Sequence, residues 1–391
     1  IPALIKAKEL GLTTHLTDIN SKCAAKKYCD YFYEVDVNDF EKTADLAVNL
    51  ASQNKISGVY TQGTDAEYTV AYAAEKAKLF TIGATTARKS KNKALMRDAL
   101  SKAGVENVKY KKISCFEECL NAAEEVGYPL YMKPTDNSAS RGISRVSNPQ
   151  ELKDAFDFAE KSLLNETDIL LEEEILGTEH SVDCVIFDGI LYPAGISDRV
   201  FLEKNIFAVQ TESITPSLLP PKIQKEMYEK MEKAANAIGI RYGAFKGDLV
   251  VDSNSKVRII EITARTSGGF DSQYRKPLSF GIDILKATID ISLGKNLNVL
   301  DLMPKHFYRS KTYSLMPEPG KITSIEGLEE ARKIEGVYKI FITKNIGDII
   351  PEYKDCSIRT NFITIFAKNS AKLRKIQEQV QKTFKIKTSK E

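Results

Sequence analysis

Two acidic side chains in the second half of the chain have the chemistry and the spacing of a site for a divalent cation. Asp248 lies in KGDLVVD and Glu261 in KVRIIEITA, and the polar turn 252–256 between them predicts a β-hairpin with the two carboxylates side by side. The apolar neighbours Leu249 and Ile260 favour inward-facing carboxylates over a pair on the surface. Because one or two carboxylates together with nucleotide phosphates hold Mg²⁺ in proteins, we predict a site for Mg²⁺, or for Mn²⁺ in its place.

Two lysines are candidates for binding phosphate groups, since the lysine ammonium is a compact point charge. Lys133 lies in YPLYMKP, where alternation places Leu130 and Met132 on one face and Lys133 on the other, beside the small polar loop DNSASRGIS. Lys93 lies in the amphipathic helix SKNKALMRDALSKAG, which ends at Gly104. The competing interpretation is that these lysines are solvated surface residues.

The first 88 residues alternate helical and short apolar segments, which is typical of crossover units around a parallel sheet. The segments GVY and FTIG are predicted strands, and the usual first strand of such a domain is missing. We therefore expect that the natural N-terminus precedes Ile1. Asp18 has the position of a ribose ligand in a dinucleotide fold, but without a preceding glycine-rich turn we favour a solvated turn residue.

The rest of the chain is predicted to form two further domains. Residues 89–304 combine a two-layer α+β unit, expected to act as a lid at about 108–176, with long strands, a charged helix and a closing helix. Residues 305–391 contain several strand-like segments, a turn and a final basic helix. We predict a multidomain protein of mixed α/β and α+β class, with domains at 1–88, 89–304 and 305–391, the last a small α+β appendage.

The composition excludes several classes of protein. At 391 residues the chain is too long for one core, and a net charge of +3 gives no electrostatic surface for nucleic acid. Six cysteines without a C-x-x-C pair, and three histidines, do not form a zinc motif and indicate reduced thiols. No segment has the pattern of a membrane helix or a signal peptide, so we expect a cytoplasmic protein with neither membrane nor nucleic-acid partners.

The order of features between Gly58 and Gly269 resembles the ATP-grasp superfamily, most closely its carboxylate–amine ligases and carbamoyl-phosphate-synthetase-like members. The matching segments are the helix with Lys93, GYPLYMKP, SASRG, LEEEILGTEHSVD, KGDLVVD and IIEITARTSGG. The resemblance implies an ATP-grasp fold preceded by a truncated doubly wound parallel-sheet domain. It also implies ATP and Mg²⁺ as cofactors and a small-molecule carboxylate and amine as substrates; a homodimer is a possible assembly.

The resemblance assigns roles in nucleotide binding to individual residues. Lys93 and Lys133 would bind the α- and β-phosphates, and Arg141 would fold over the γ-phosphate as its loop closes. Ser138, Ser140 and Gly142 would form the phosphate loop. Glu172, Glu173 and Ile175 would lie at the adenine, and Glu179 would bind the ribose. A plain surface loop is the alternative for the first group, and His180 is interpreted as a packing residue.

Catalytic and substrate-binding residues are expected in the last matching segment. Arg265 is two residues from Thr263 on the strand face of Glu261, where a guanidinium can stabilise the charge that develops on an acyl phosphate. Substrate or phosphate would approach the backbone closely at the short turn Ser267, Gly268 and Gly269, for which a purely structural role is nearly as good an interpretation. Arg275 would bind the carboxylate of an amino-acid substrate.

The predicted function is a ligase that phosphorylates a carboxylate with MgATP and lets an amine attack the acyl phosphate. Two positions depart from the family pattern, because Asp248 and Thr263 stand where many members have Glu and Asn. Because of Thr263, the sequence does not decide between one metal ion and two. Thr263 also leaves open the alternative of a regulatory subunit that binds ATP without turnover. Further alternatives are a carbamoyl-phosphate-synthetase-like enzyme that uses bicarbonate or carbamate and, from the first 88 residues alone, a nicotinamide-binding oxidoreductase.

Overall fold

A computed structural model describes residues 1–105, 108–137, 141–164, 166–202, 209–354 and 356–389. The helices are α1 Pro2–Glu9, α2 Phe40–Ser52, α3 Glu67–Lys76, α4 Ala84–Lys91, α5 Lys93–Lys102, α6 Cys119–Val126, α7 Leu152–Glu160, α8 Pro221–Ile238, α9 Lys276–Phe280, α10 Ile284–Ser292, α11 Leu328–Arg332 and α12 Ser370–Thr383. The strands are β1 His15–Thr17, β2 Tyr31–Tyr33, β3 Tyr110–Ile113, β4 Leu130–Pro134, β5 Ser144–Val146, β6 Ile169–Glu173, β7 Gly177–Phe187, β8 Ile190–Phe201, β9 Gln210–Thr215, β10 Tyr242–Asp252, β11 Val257–Thr263, β12 Arg309–Tyr313, β13 Gly320–Glu326, β14 Val337–Ile342, β15 Ile349–Ile350, β16 Asn361–Ala367 and β17 Lys385–Ser389.

The N-terminal region contains a short parallel sheet in which β1 pairs with β2, next to the packed helices α2 and α3. The predicted strands at 58–60 and 80–83 are wrong, since the structure places both segments outside its strands. Tyr60 instead makes a side-chain contact, its hydroxyl lying 3.0 Å from Thr288 Oγ1 of α10.

A four-stranded antiparallel sheet in the order β3–β6–β4–β5 forms a separate layer with α6 and α7. Alternate residues of β4 face these helices, so that Leu130 and Met132 join the apolar core with Leu171 of β6 and Phe156 of α7. Lys133 points to the opposite face because strand side chains alternate. The sheet therefore presents a charged face away from its own helices.

The central sheet has eight strands in the order β11–β10–β7–β8–β9–β12–β16–β14, all paired antiparallel. Its last three strands come from the predicted C-terminal domain, and β12 pairs directly with β9. The C-terminal region thus continues the central sheet and adds a small separate sheet, β15–β13–β17.

One face of the central sheet is buried against α8 and α5, and the other lines a cleft. On β10 the core-facing residues Phe245 and Leu249 alternate with Lys246 and Asp248, which face the cleft. Burying a large apolar side chain of this kind stabilises the fold by about 1.5–3 kcal/mol. Gly247 lies on the core side where α8 crosses, and a Cβ there would overlap Met231 Sδ.

None of the helices within the described ranges is both long and apolar enough to pass through a bilayer.

Candidate functional site

The two carboxylates predicted to hold a metal ion lie next to each other. Asp248 and Glu261 are register partners across the β10–β11 pair, and a bulge follows Asp248. Both side chains open into a cleft of about 380 Å³ between the central sheet and the four-stranded sheet. The hairpin predicted from the polar turn therefore sets the geometry of the candidate site.

Most of the other predicted site residues line the same cleft. The lining includes Lys93, Lys133, Glu172, Glu173, Ile175, Glu179, Arg265, Ser267, Gly268, Gly269 and Arg275. Ser138 and Ser140 fall outside the described residues. Arg141 is exposed, and neither Arg141 nor Gly142 is among the described residues that line the cleft. The next residue, Ile143, does line it. Gly142 has a φ of +74° and a Cβ there would overlap Ser162, so packing alone requires glycine.

The Lys93 ammonium is held between Asn137, which precedes the predicted phosphate loop, and the carboxylate of Glu261. It donates to the Asn137 carbonyl oxygen at 2.6 Å and lies 2.8 Å from Glu261 Oε1. Burial by itself would raise the pKa of Glu261, but Lys93 and Lys246 hold it well below its usual range. Glu261 is therefore ionised at neutral pH, as a metal ligand must be.

Lys133 is held by a buried cluster that sequence analysis did not find in full. Glu172 pairs with Lys133 and also accepts from Arg97 Nε at 2.6 Å. Burial would raise the pKa of Glu172, whereas Arg97 and Lys133 lower it to about 2. Arg97 also donates to the carbonyl oxygens of Ile259 and Ile260, at 2.8 and 2.7 Å. It thus joins α5 to strands of both sheets, and Glu172 positions Lys133.

Asp248 offers an oxygen that suits a metal ion. Its Oδ2 is 3.0 Å from Arg199 Nη1 and also pairs with Lys246, whereas Oδ1 is buried and has no hydrogen-bond partner among the described residues. Thr263 Oγ1, at the position of the family's Asn, is likewise buried and unpartnered there. Hard oxygens in a cleft that also contains Lys93 and Lys133 fit Mg²⁺.

The residues predicted for adenine and ribose also line the cleft. Glu173 accepts from Arg258 Nη2 at 3.0 Å and from the Lys109 amide at 2.7 Å, so its side chain is engaged within the protein. Glu179 is 3.3 Å from Arg199 Nη1, yet burial raises its pKa above the ordinary value. His180 is buried between Thr178 and Asp198 and lies outside the described lining.

Two predicted arginines meet acidic partners. Arg265 pairs with Asp65 of the N-terminal region, which brings that region to the cleft. Arg275, in a π-helical turn before α9, is 3.0 Å from Asp271 Oδ2 and donates to the Gly269 carbonyl oxygen at 3.2 Å. The charge proposed as a carboxylate anchor is therefore already compensated.

Sequence analysis missed several residues of the lining: Asp65, Arg199, Lys246, Thr312, Cys356 and Arg359. Lys246 could have been found, because it is two residues before Asp248 and so shares its strand face. No motif marks the others. They reach the cleft only because the fold brings distant segments of the chain together.

Two family models match the chain: an ATP-grasp domain over residues 126–273 and the L-amino acid ligase C-terminal domain 2 over residues 313–389. Alanine–anticapsin ligase of Bacillus subtilis strain 168 is 27% identical over 296 residues, which cover 66% of this chain and 61% of the relative. The chain thus spans about three fifths of that relative's length.

Solved structures share the fold over nearly the whole chain. An L-amino acid ligase from Bacillus licheniformis has a TM-score of 0.85 at 21% identity and covers 99% of this chain and 95% of its own. The biotin carboxylase domain of a Hydrogenobacter thermophilus 2-oxoglutarate carboxylase, solved with MgADP and bicarbonate, has a TM-score of 0.75 at 23% identity and covers 98% and 87%. The fold is that of ATP-grasp enzymes.

Proposed function

We propose that this chain, which belongs to the ATP-grasp superfamily, is an ATP-dependent ligase that joins a carboxylate to an amine. A carboxylate oxygen attacks the γ-phosphorus of ATP and the bond to ADP breaks. The amine nitrogen then attacks the acyl carbon, inorganic phosphate leaves, and the nitrogen loses a proton. The observation that carries the proposal is the pairing of Asp248 with Glu261 in one cleft with Lys93 and Lys133.

The residues around the cleft would have separate roles in the reaction. Lys93 and Lys133 would grip the phosphates, and Arg265 would face the charge that develops on the acyl phosphate. Asp248 and Glu261 would hold Mg²⁺, which neutralises phosphate charge when bound. These groups are fixed by ion-pair partners and are buried, except for the partly buried Glu261, so positioning and electrostatics would supply catalysis without a covalent enzyme intermediate.

The comparisons support an amino acid as one substrate. The relatives include an alanine–anticapsin ligase, and the C-terminal match is to a domain of L-amino acid ligases. The product would then be an amide of peptide type. The similarity to a biotin carboxylase domain supports bicarbonate as the alternative acceptor of the phosphoryl group.

The proposal is tested by a screen for ADP release. MgATP is supplied with pairs of L-amino acids, with a panel of carboxylates plus hydroxylamine, or with bicarbonate, and products are identified by mass spectrometry. We expect ADP, phosphate and an amide or hydroxamate. ADP formation with bicarbonate alone would favour the carboxylase-like alternative, and tight ATP binding without turnover in any arm would favour a regulatory subunit.

A further inference from the structure

The end of the cleft formed by the C-terminal region contains a cation without an acidic partner among the residues that the structure describes. Arg359 lies in the connection that precedes β16, and its guanidinium reaches the cleft beside Gln210 of β9 and Thr312 of β12. Nε donates to the Cys356 carbonyl oxygen at 2.9 Å and Nη1 to the Gln210 carbonyl oxygen at 3.3 Å. The Phe362 ring lies 4.5 Å from the guanidinium carbon, so the group is held in a fixed orientation.

Every other cation of the described lining that is discussed above has a carboxylate within ion-pair distance. Lys93 has Glu261, Lys133 has Glu172, Lys246 has Asp248, Arg199 has Glu179 and Asp248, Arg265 has Asp65, and Arg275 has Asp271. For Arg359 no ion pair with a described carboxylate exists. Burial, together with the positive charges of Arg199 and Arg275, lowers its pKa below the ordinary value. An anion there would relieve this repulsion.

A second group at this end points to a ligand. Ser213 of β9 is 2% exposed and lines the cleft, and its Oγ has no hydrogen-bond partner among the described residues. Its strand neighbours in register are Arg199 and Thr312. A buried hydroxyl without a partner costs free energy, and a bound oxygen ligand would remove that cost.

This end is distant from the phosphate-binding end. Gln210 and Ser213 are on β9, three strands from Asp248 on β10. At a spacing of about 4.8 Å between strands, this corresponds to about 14 Å along the sheet. The transferred phosphoryl group therefore does not account for the anion, whereas an acyl group and an amine substrate placed in series would extend toward it.

We infer that Arg359 and Ser213 bind the carboxylate of the amine substrate, which is accordingly an amino acid or a peptide with a free carboxylate. The inference rests on the proposed ligase function. Arg359 supplies a planar fork of donors that matches a carboxylate, and Ser213 supplies a hydroxyl donor. The C-terminal region would thus select which amine is joined.

The test begins with the substrate pair that the ADP-release screen identifies. The amine substrate is compared with its carboxamide, at saturating donor and ATP, in the wild type, Arg359→Gln and Ser213→Ala, with exposed Arg374→Gln as the matched control. We expect the wild type to prefer the carboxylate form by at least about tenfold in kcat/KM. Arg359→Gln should raise KM for the amine about tenfold or more and lose this preference, with KM for ATP within twofold of the wild type. Ser213→Ala, which removes no hydrogen bond among the described residues, should show a smaller shift of the same kind.

If the wild type uses the acid and the amide equally well, the inference is overturned and the ligase function is not affected. The same conclusion follows if Arg359→Gln raises KM only for the donor or only for ATP. If the wild type releases no ADP with any pair, the proposed function fails. The carboxylate site is then tested by NMR binding of Ala-Ala and its C-terminal amide. The site is supported if the wild type binds Ala-Ala more tightly than its amide and Arg359→Gln does not. It is refuted if the wild type binds both equally.

Discussion

At the scale of single residues, the cleft is organised by the pairing of charges. Glu261 stays ionised because Lys93 and Lys246 outweigh the effect of its burial, and Asp248 keeps one oxygen without a described partner. The same acids that would hold Mg²⁺ thus hold the lysines in place until ligands enter. A change of one charge is therefore expected to alter both binding and positioning.

Replacing Glu261 with Gln is expected to lower kcat by about 100-fold or more, because a neutral amide is a poor ligand for Mg²⁺ and no longer attracts Lys93. Steady-state ADP release over a Mg²⁺ titration measures the effect. The exposed Glu335, changed to Gln, is the control for loss of one negative charge. Unchanged turnover in Glu261→Gln would remove this residue from the metal site.

Arg97→Met is expected to lower the free energy of unfolding by about 3–5 kcal/mol, because Arg97 is fully buried and pairs with the buried Glu172. Urea unfolding measures the loss, with Arg374→Gln as the control. A change below about 0.5 kcal/mol, typical of surface positions, would mean that the cluster contributes little to stability.

The cluster also predicts a dependence of stability on pH. The pKa of Glu172 is lowered from 4.5 to about 2, so its contribution is fully present above about 4.5 and is lost as the pH falls toward 2. We expect the urea midpoint of the wild type to decrease more between pH 5 and pH 3 than that of Glu172→Gln. Parallel decreases in both proteins would contradict this assignment.

At the scale of elements, β10 connects the core to the cleft because its residues alternate between the two. Gly247 lies between Lys246 and Asp248, and its lack of a side chain lets α8 approach through Met231. Gly247 therefore allows close packing behind the part of β10 that carries Lys246 and Asp248.

Gly247→Ala is expected to destabilise the protein by about 1–3 kcal/mol through overpacking against Met231. Thermal or urea unfolding measures this change. In a Met231→Ala background the added methyl group has room, so the cost should become smaller. Equal costs in both backgrounds would show that contact with Met231 is not the cause.

At the scale of the whole molecule, the C-terminal region completes the cleft because its strands extend the central sheet. The pairing of β9 with β12 and of β12 with β16 brings Thr312 and Arg359 to the cleft that Asp248 of β10 and Glu261 of β11 also line. The expected homodimer stays a prediction that light scattering can check.

Because one sheet crosses the predicted boundary at 304/305, residues on its two sides should open together. Amide hydrogen exchange is expected to give similar opening free energies for the paired amides of β9 and β12. The short pair β1–β2 provides a comparison and should exchange faster. Opening of β12 at a much lower free energy than β9 would mean that the C-terminal region unfolds independently.

The sequence by itself was sufficient for local features and for residues within matching motifs. Alternation predicted the orientation of Lys133, and the polar turn predicted the pairing of Asp248 with Glu261, because both depend on neighbours close along the chain. The strands predicted at 58–60 and 80–83 failed because a strand needs a partner, which tertiary packing provides or withholds.

Only the tertiary structure decided which distant residues share the cleft. Arg97 meets Glu172, Asp65 meets Arg265, and Arg359 reaches β9 without an acidic partner among the described residues. The sheet order that creates these contacts depends on long-range strand pairing, which no short segment encodes. Charge compensation is a property of three-dimensional neighbours. Only the fold therefore shows that Arg275 has a carboxylate partner and that Arg359 has none among the described residues.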